Sequence, residues 1–147
     1  MKTTIYFDMD GTIADLYGVQ NWKTDLDNLN VRPYATAKCM HNMSALARLI
    51  NRAQKNGYRV GIISWLSKSG TDEYNAQVAE VKRKWLKTHL KSVTFNEMHI
   101  VPYGTPKQMF ARENDILFDD EEKNRSMWNE GRAFEPKKIF EILEKIS

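Results

Sequence analysis

Two aspartates, Asp8 and Asp10, stand two positions apart where the apolar run "TTIYF" ends, and Gly11 and Thr12 follow directly. Carboxylates crowded at the end of a buried strand repel each other unless a cation is present. Elsewhere the chain again places polar groups after apolar runs. Ser64 follows "VGII", Lys107 follows the turn that ends the stretch "EMHIV", and Asp119 and Asp120 follow "DILF". Ligands of open α/β sheets bind at the carboxyl ends of the strands, so all of these groups are expected on one rim. Carboxylates in that number suit a hard cation such as Mg²⁺. A serine hydroxyl and a lysine ammonium can hold the non-bridging oxygens of a phosphoryl group. One carboxylate facing phosphorus can attack it. A second, two residues on, can serve as acid and then as base.

The elements that must position these groups follow from pattern. Residues 3–7 are β-branched and aromatic and read as a strand. Residues 44–56 read as a helix, with Leu46, Leu49, Ile50 and Ala53 on one face, Ser44 as its cap and Gly57 just past its end. Residues 58–63 read as a strand ending at Ser64, and 72–90 as a long helix with Val78, Val81, Trp85 and Leu86 inward. Strands follow at 97–101, 115–118 and 132–134, with a short helix from Lys107 to about Glu113 and a terminal helix from Glu135 to Ile146. Pro136 suits the first turn of that helix. Residues 8–43 are irregular, with room for a short helix after Asn21. Strands alternating with helices predict a parallel sheet in an α/β layer fold, and the chain of 147 residues fits one domain, 1–147.

The ordered series "DMDGT", "VGIIS", "YGTPK" and "ILFDD" resembles the four motifs of the haloacid dehalogenase-like superfamily, and it runs from Asp8 to Asp120. The resemblance implies a three-layer Rossmann-like sheet with the five predicted strands in the order 5-4-1-2-3 and a small cap inserted after the first. It implies that Asp8 is the nucleophile, forming an aspartyl-phosphate, and that Asp10 is the general acid and base. Mg²⁺ would be held by the Asp8 carboxylate, the Asp10 main-chain carbonyl and one acid of the pair Asp119 and Asp120, either of which fits. Ser64 and Lys107 would bind the phosphoryl oxygens. Gly11 and Thr12 belong to the same phosphate-binding loop, Gly11 letting the chain turn from the strand and Thr12 supporting it. By length, short first insert and paired acids, the chain is most similar to small 5′-nucleotidases and deoxyribonucleotidases.

The insert, about residues 14–43, is too short for a separate cap domain. It supplies Tyr17, Trp22, Arg32 and Tyr34, and Trp65 directly follows Ser64. These aromatics could stack on a base or sugar, with Arg32 meeting a second anionic group; equally, they could be the insert's own miniature core. The expected substrate is a small phosphorylated metabolite such as a nucleoside monophosphate. A nucleic-acid 3′-end phosphatase is the alternative, because "VKRKWLKTHLK" carries Lys82, Arg83, Lys84, Lys87 and Lys91. We read that run as the solvated side of an amphipathic helix. A phospho-aspartate receiver domain would need its acceptor after a middle strand, where this chain has Ser64 and Pro102. An inactive binding protein is disfavoured because every expected catalytic position is filled.

Composition narrows the setting. The hydrophobic fraction of 41% and charged fraction of 28% are ordinary for a globular domain, and the net charge of +3 is compatible with an anionic substrate. One cysteine, Cys39, excludes an intrachain disulfide and suggests a reducing, cytoplasmic setting. It lies in a polar connecting region with only His41 near in sequence, so a nucleophilic role is not expected. His41, His89 and His99 lack metal-ligand spacing and are expected to be structural or exposed. No segment approaches the ~20 apolar residues of a membrane span.

Overall fold

The computed structural model describes residues 2–68 and 70–146. Its centre is a parallel sheet of β1 (Thr4–Phe7), β4 (Arg59–Trp65), β5 (Glu97–Val101), β6 (Ile116–Phe118) and β7 (Ala133–Phe134). The spatial order is β5-β4-β1-β6-β7, with every pairing parallel. The five predicted strands therefore lie in the predicted sequence across the sheet. The difference in detail is an added antiparallel pair inside the insert, β2 (Ala14–Asp15) with β3 (Lys38–Cys39).

The sheet's two faces are covered unequally. Ile5, Phe7, Val60, Ile62, Ile116 and Phe118 face the main core. That core is closed by α3 (Met43–Lys55), α6 (Ile139–Ile146) and the second half of α4 (Asp72–His89), whose Trp85 and Leu86 join it. The opposite face buries Tyr6, Ile63, Leu117 and Trp128 under a thinner cover that includes Phe110 and Ala111. Gly61 opposes Glu97 in the register and leaves room for the Tyr6 ring, which a Cβ there would meet at 2.9 Å.

Local chemistry explains the helix ends. Asn42, not Ser44, caps α3: its side chain accepts from the Ala45 N–H at 3.0 Å, placing the helix start one residue earlier than expected. Gly57, at φ +100°, takes the left-handed position after the last turn. Thr71 caps α4 by accepting from the Tyr74 N–H. The segment from Lys107 closes as one 3-10 turn to Phe110 and does not continue to Glu113. The terminal helix is likewise preceded by a 3-10 turn at Pro136–Lys138, as proline at the first position permits.

The insert is more ordered than its sequence suggests. Besides β2 and β3 it holds α1 (Trp22–Asp27) and α2 (Arg32–Thr36). Its Leu16 and Tyr34 pack with Tyr74 and Val78 of α4, and the Tyr74 hydroxyl donates to the Asn30 carbonyl at 2.9 Å. The Trp85 indole donates to the Ala37 carbonyl at 2.8 Å from the same helix. One face of α4 thus seats the insert above the ends of the strands. No helix of the described residues is long and apolar enough to cross a membrane.

Candidate active site

Asp8 is the first residue beyond β1, and its N–H still pairs with the Phe118 carbonyl at 2.9 Å. The chain then turns tightly: the Met9 carbonyl accepts from the N–H groups of Thr12, Ile13 and Ala14. Gly11 makes this turn at φ +81°, and a Cβ there would stand 2.3 Å from an Asp120 carboxylate oxygen. Only glycine meets both demands without strain. Thr12 is fully buried and donates its hydroxyl to Asp8 Oδ2 at 2.9 Å. His41 meets the Thr12 carbonyl at 2.7 Å and so braces the turn from outside.

Lys107 reaches the same point from the segment after β5. Its Nζ lies 2.8 Å from Asp8 Oδ1 and 2.8 Å from Asp119 Oδ2, with the Trp65 ring 5.4 Å away. Burial disfavours its charge, but Asp8 and Asp119 outweigh burial and hold its pKa above the usual lysine range. Asp119 also accepts from the Glu121 N–H and from Asn124 Nδ2, at 2.9 and 3.1 Å. Asn124 is supplied by α5 (Glu122–Met127) and belongs to the site although no sequence motif marked it.

Asp8, Asp119 and Asp120 bring carboxylate oxygens within 4.8 Å of one another. Burial and then the Asp8 charge push the carboxyls of both Asp119 and Asp120 above their ordinary range. With all three ionised, the one ammonium of Lys107 would leave two negative charges unmet. An all-oxygen donor set with that residual charge fits a hard divalent cation such as Mg²⁺. The Asp10 carboxyl takes no part in this cluster, so any contribution of Asp10 to it falls to the main chain.

Asp10 instead meets Lys82, whose Nζ lies 2.8 Å from Asp10 Oδ2, 2.7 Å from Ser64 Oγ and 2.7 Å from the Trp65 carbonyl. Burial raises the Asp10 pKa, and Lys82 opposes the rise. This overturns the reading of Lys82 as a solvated charge: the residue is 1% exposed. Its position carried a signal, because residues 74, 78, 82 and 85 share one helical face and three of them are Tyr, Val and Trp. Arg83, Lys84 and Lys87 remain exposed, as an amphipathic helix requires.

A cavity of about 340 Å³ opens over these groups. Asp8, Asp10, Lys107, Asp119 and Asp120 line its floor, and Tyr17, Trp22, Tyr34 and Trp65 line its walls. Tyr17 packs edge-on against Trp22 at 5.0 Å between centroids, and Trp65 packs against Tyr103, an unpredicted wall residue, at 4.9 Å. Four of the predicted site residues do not line it: Gly11 and Thr12, which shape the turn after Asp8, and Ser64 and Arg32. Ser64 is fully buried and bound to Lys82, whereas Ser67 does reach the cavity. Arg32 bonds Asp25 and the Gln20 carbonyl, so its guanidinium braces the insert. The remaining titratable candidates are structural: Cys39 lies in β3 with its sulfur 3.2 Å from His89, not His41, and His99 meets Glu97 at 2.9 Å.

No family model matches this chain, and no curated relative matches it. Among solved structures it is similar to the D,D-heptose 1,7-bisphosphate phosphatase from Burkholderia Thailandensis, with a TM-score of 0.51 and 13% identity. The match covers 85% of this chain and 70% of that one. At that identity the likeness is one of fold, a parallel sheet flanked by helices.

Proposed function

We propose that this chain is a phosphomonoester hydrolase of the haloacid dehalogenase-like type, working through an aspartyl-phosphate on Asp8. The observation that carries the reading is the pair of environments given to the two aspartates. Asp8 is gripped by Thr12 and Lys107 at the cavity floor, while Asp10, two residues on, is held apart by Lys82. The fold shared with a phosphatase supports it.

In the first half-reaction an Asp8 oxygen bonds to phosphorus and the bond to the leaving oxygen breaks. Asp10 gives its proton to that oxygen, and its raised pKa favours carrying one. In the second, Asp10 takes a proton from water as the water oxygen bonds to phosphorus. The bond to Asp8 then breaks, freeing inorganic phosphate and restoring the carboxylate. Lys107 offsets charge on the transferring group from its place beside Asp8. Asp8, the Asp10 main-chain carbonyl and Asp119 or Asp120 would hold Mg²⁺, which would supply the charge neutralisation that lets an anionic nucleophile meet an anionic phosphoryl group.

The aromatic walls favour a leaving group with a flat face, which fits a nucleoside monophosphate better than an open-chain sugar phosphate. The insert acts in this reading as a small cap that stays seated on α4. The test is a panel of nucleoside monophosphates, sugar phosphates and 3′-phosphorylated oligonucleotides, assayed with Mg²⁺ and with chelator. Metal-dependent release of phosphate, fastest from nucleoside monophosphates, is expected. Equal rates across the panel would remove the substrate assignment, and no release from any member would remove the activity.

A further inference from the structure

We propose that Lys82 is a positioning residue for this reaction: one buried ammonium ties the Asp10 carboxyl to the Ser64 hydroxyl and the Trp65 carbonyl and so keeps Asp10 aimed at the leaving-group oxygen. The inference rests on the phosphatase reading above.

The geometry is saturated. A lysine ammonium has three protons to donate, and Lys82 has three acceptors at 2.7–2.8 Å. The Tyr34 ring, 5.1 Å away, interacts with the same cation. Nothing is left over to bind a phosphoryl oxygen, which separates Lys82 in role from Lys107. Ser64 is fully enclosed and its Oγ accepts from Lys82, so the hydroxyl serves the lysine.

Stability alone gives little reason for a lysine here. The neighbouring buried positions on this face of α4 hold Val78, Trp85 and Leu86. A buried ion pair is a weak source of stability compared with a well-packed apolar side chain. What Lys82 does provide is a fixed place for a carboxyl that otherwise has little support. Asp10 sits in the turn beyond β1, and among the described residues Lys82 is its one side-chain hydrogen-bond partner. Because Lys82 takes Oδ2, Oδ1 is the oxygen that can turn toward a substrate. The anchor for all this is α4, whose other contacts seat the insert, so the acid, the strand end and the cavity wall are referred to one rigid helix.

Steady-state kinetics on an aryl phosphate with Mg²⁺ tests the proposal, using wild type, Lys82→Met, Asp10→Asn and the double variant. Misplacing a catalytic group by about 1 Å costs roughly 100-fold, so Lys82→Met should lose roughly that much in kcat while KM changes by less than about 3-fold. The double variant should be no slower than Asp10→Asn, because both substitutions act through one carboxyl. Lys82→Met with wild-type kcat, with a raised KM alone, or with a penalty that multiplies that of Asp10→Asn would each overturn the proposal. If Lys82→Met does not fold, Ser64→Ala decides: a fall in kcat at constant KM supports the positioning role, and a raised KM at constant kcat contradicts it. A wild type inactive on every phosphomonoester would remove the phosphatase reading and this inference together; an active wild type with an indifferent Lys82 removes this inference alone.

Discussion

At the scale of single residues, the site divides two neighbouring aspartates by giving each its own buried lysine. Asp8 has Lys107 and Asp10 has Lys82, and the two cations are not interchangeable. Asp8→Asn should therefore lower kcat by at least about 10³-fold, and Asp10→Asn by about 10²–10⁴-fold. Asp8→Asn should not lower the melting temperature greatly, because Lys107 keeps Asp119, whereas Asp10→Asn leaves the buried Lys82 ammonium without its carboxylate and should lower it. Asp8→Asn also removes a charge that pushes up Asp119 and Asp120, so the metal-free protein should be no less stable by calorimetry. Gly11→Ala is expected to fail differently. Its left-handed backbone costs an alanine about 1–2 kcal/mol, and the new methyl meets Asp120, so both thermal stability and turnover should fall. The aspartates, Gly11 and Lys107 were legible in sequence because each follows an apolar run directly or through a short turn. Lys82 was hidden because a lysine in a basic run is ordinarily solvated, and only its helical phase with Val78 and Trp85 gave it away. Ser64 was legible as a strand-end serine, but nothing in its position told that its hydroxyl turns to a helix and not to the cavity.

At the scale of elements, the edge strand β5 is tied to the sheet by Glu97. Its carboxylate accepts from the Tyr6 hydroxyl at 2.7 Å and pairs with Arg59, Arg112 and His99. Burial pushes the Glu97 pKa up, but hydrogen bonds from His99, Tyr6, Arg112 and Arg59 together bring it down to about 2 from 4.5. A folded pKa below the unfolded one means that the unfolded chain binds the extra proton. The stabilisation is thus complete above pH 4.5 and lost as pH falls toward 2. Glu97→Gln should cost about 1–2 kcal/mol at neutral pH, allowing for partial solvent screening. In denaturant titrations that gap should close as pH falls through this window; a gap independent of pH would contradict the assignment. The insert gives a second test at this scale. Tyr74→Phe removes its hydrogen bond to the Asn30 carbonyl, at about 1 kcal/mol. It should raise KM more than it lowers kcat if the insert shapes the substrate wall. The main strands and long helices were readable from periodicity, although the residues that cap the helices, Asn42 and Thr71, were not the ones expected or were not marked. The insert was not readable, because its order comes from packing on α4 and not from any period of its own.

At the scale of the whole molecule, the sheet gathers three carboxyls and one ammonium from three segments of the chain, after β1, after β5 and after β6. A divalent cation that binds this cluster only in the folded state must stabilise the fold. Mg²⁺ at a hundredfold excess over its Kd should add about 2.7 kcal/mol, seen as a rise of several degrees in melting temperature. The rise should be lost in a variant carrying both Asp119→Asn and Asp120→Asn. The phosphoryl group is expected to pass through a covalent bond to Asp8. This is tested most directly by mixing enzyme, Mg²⁺ and substrate, quenching in acid within one turnover, and locating the phosphoryl group by peptide mass spectrometry. A phosphoryl adduct is expected on the peptide carrying Asp8, present in wild type and missing in Asp8→Asn. Rapid turnover with no adduct at any quench time, or an adduct on a residue other than Asp8, would contradict it.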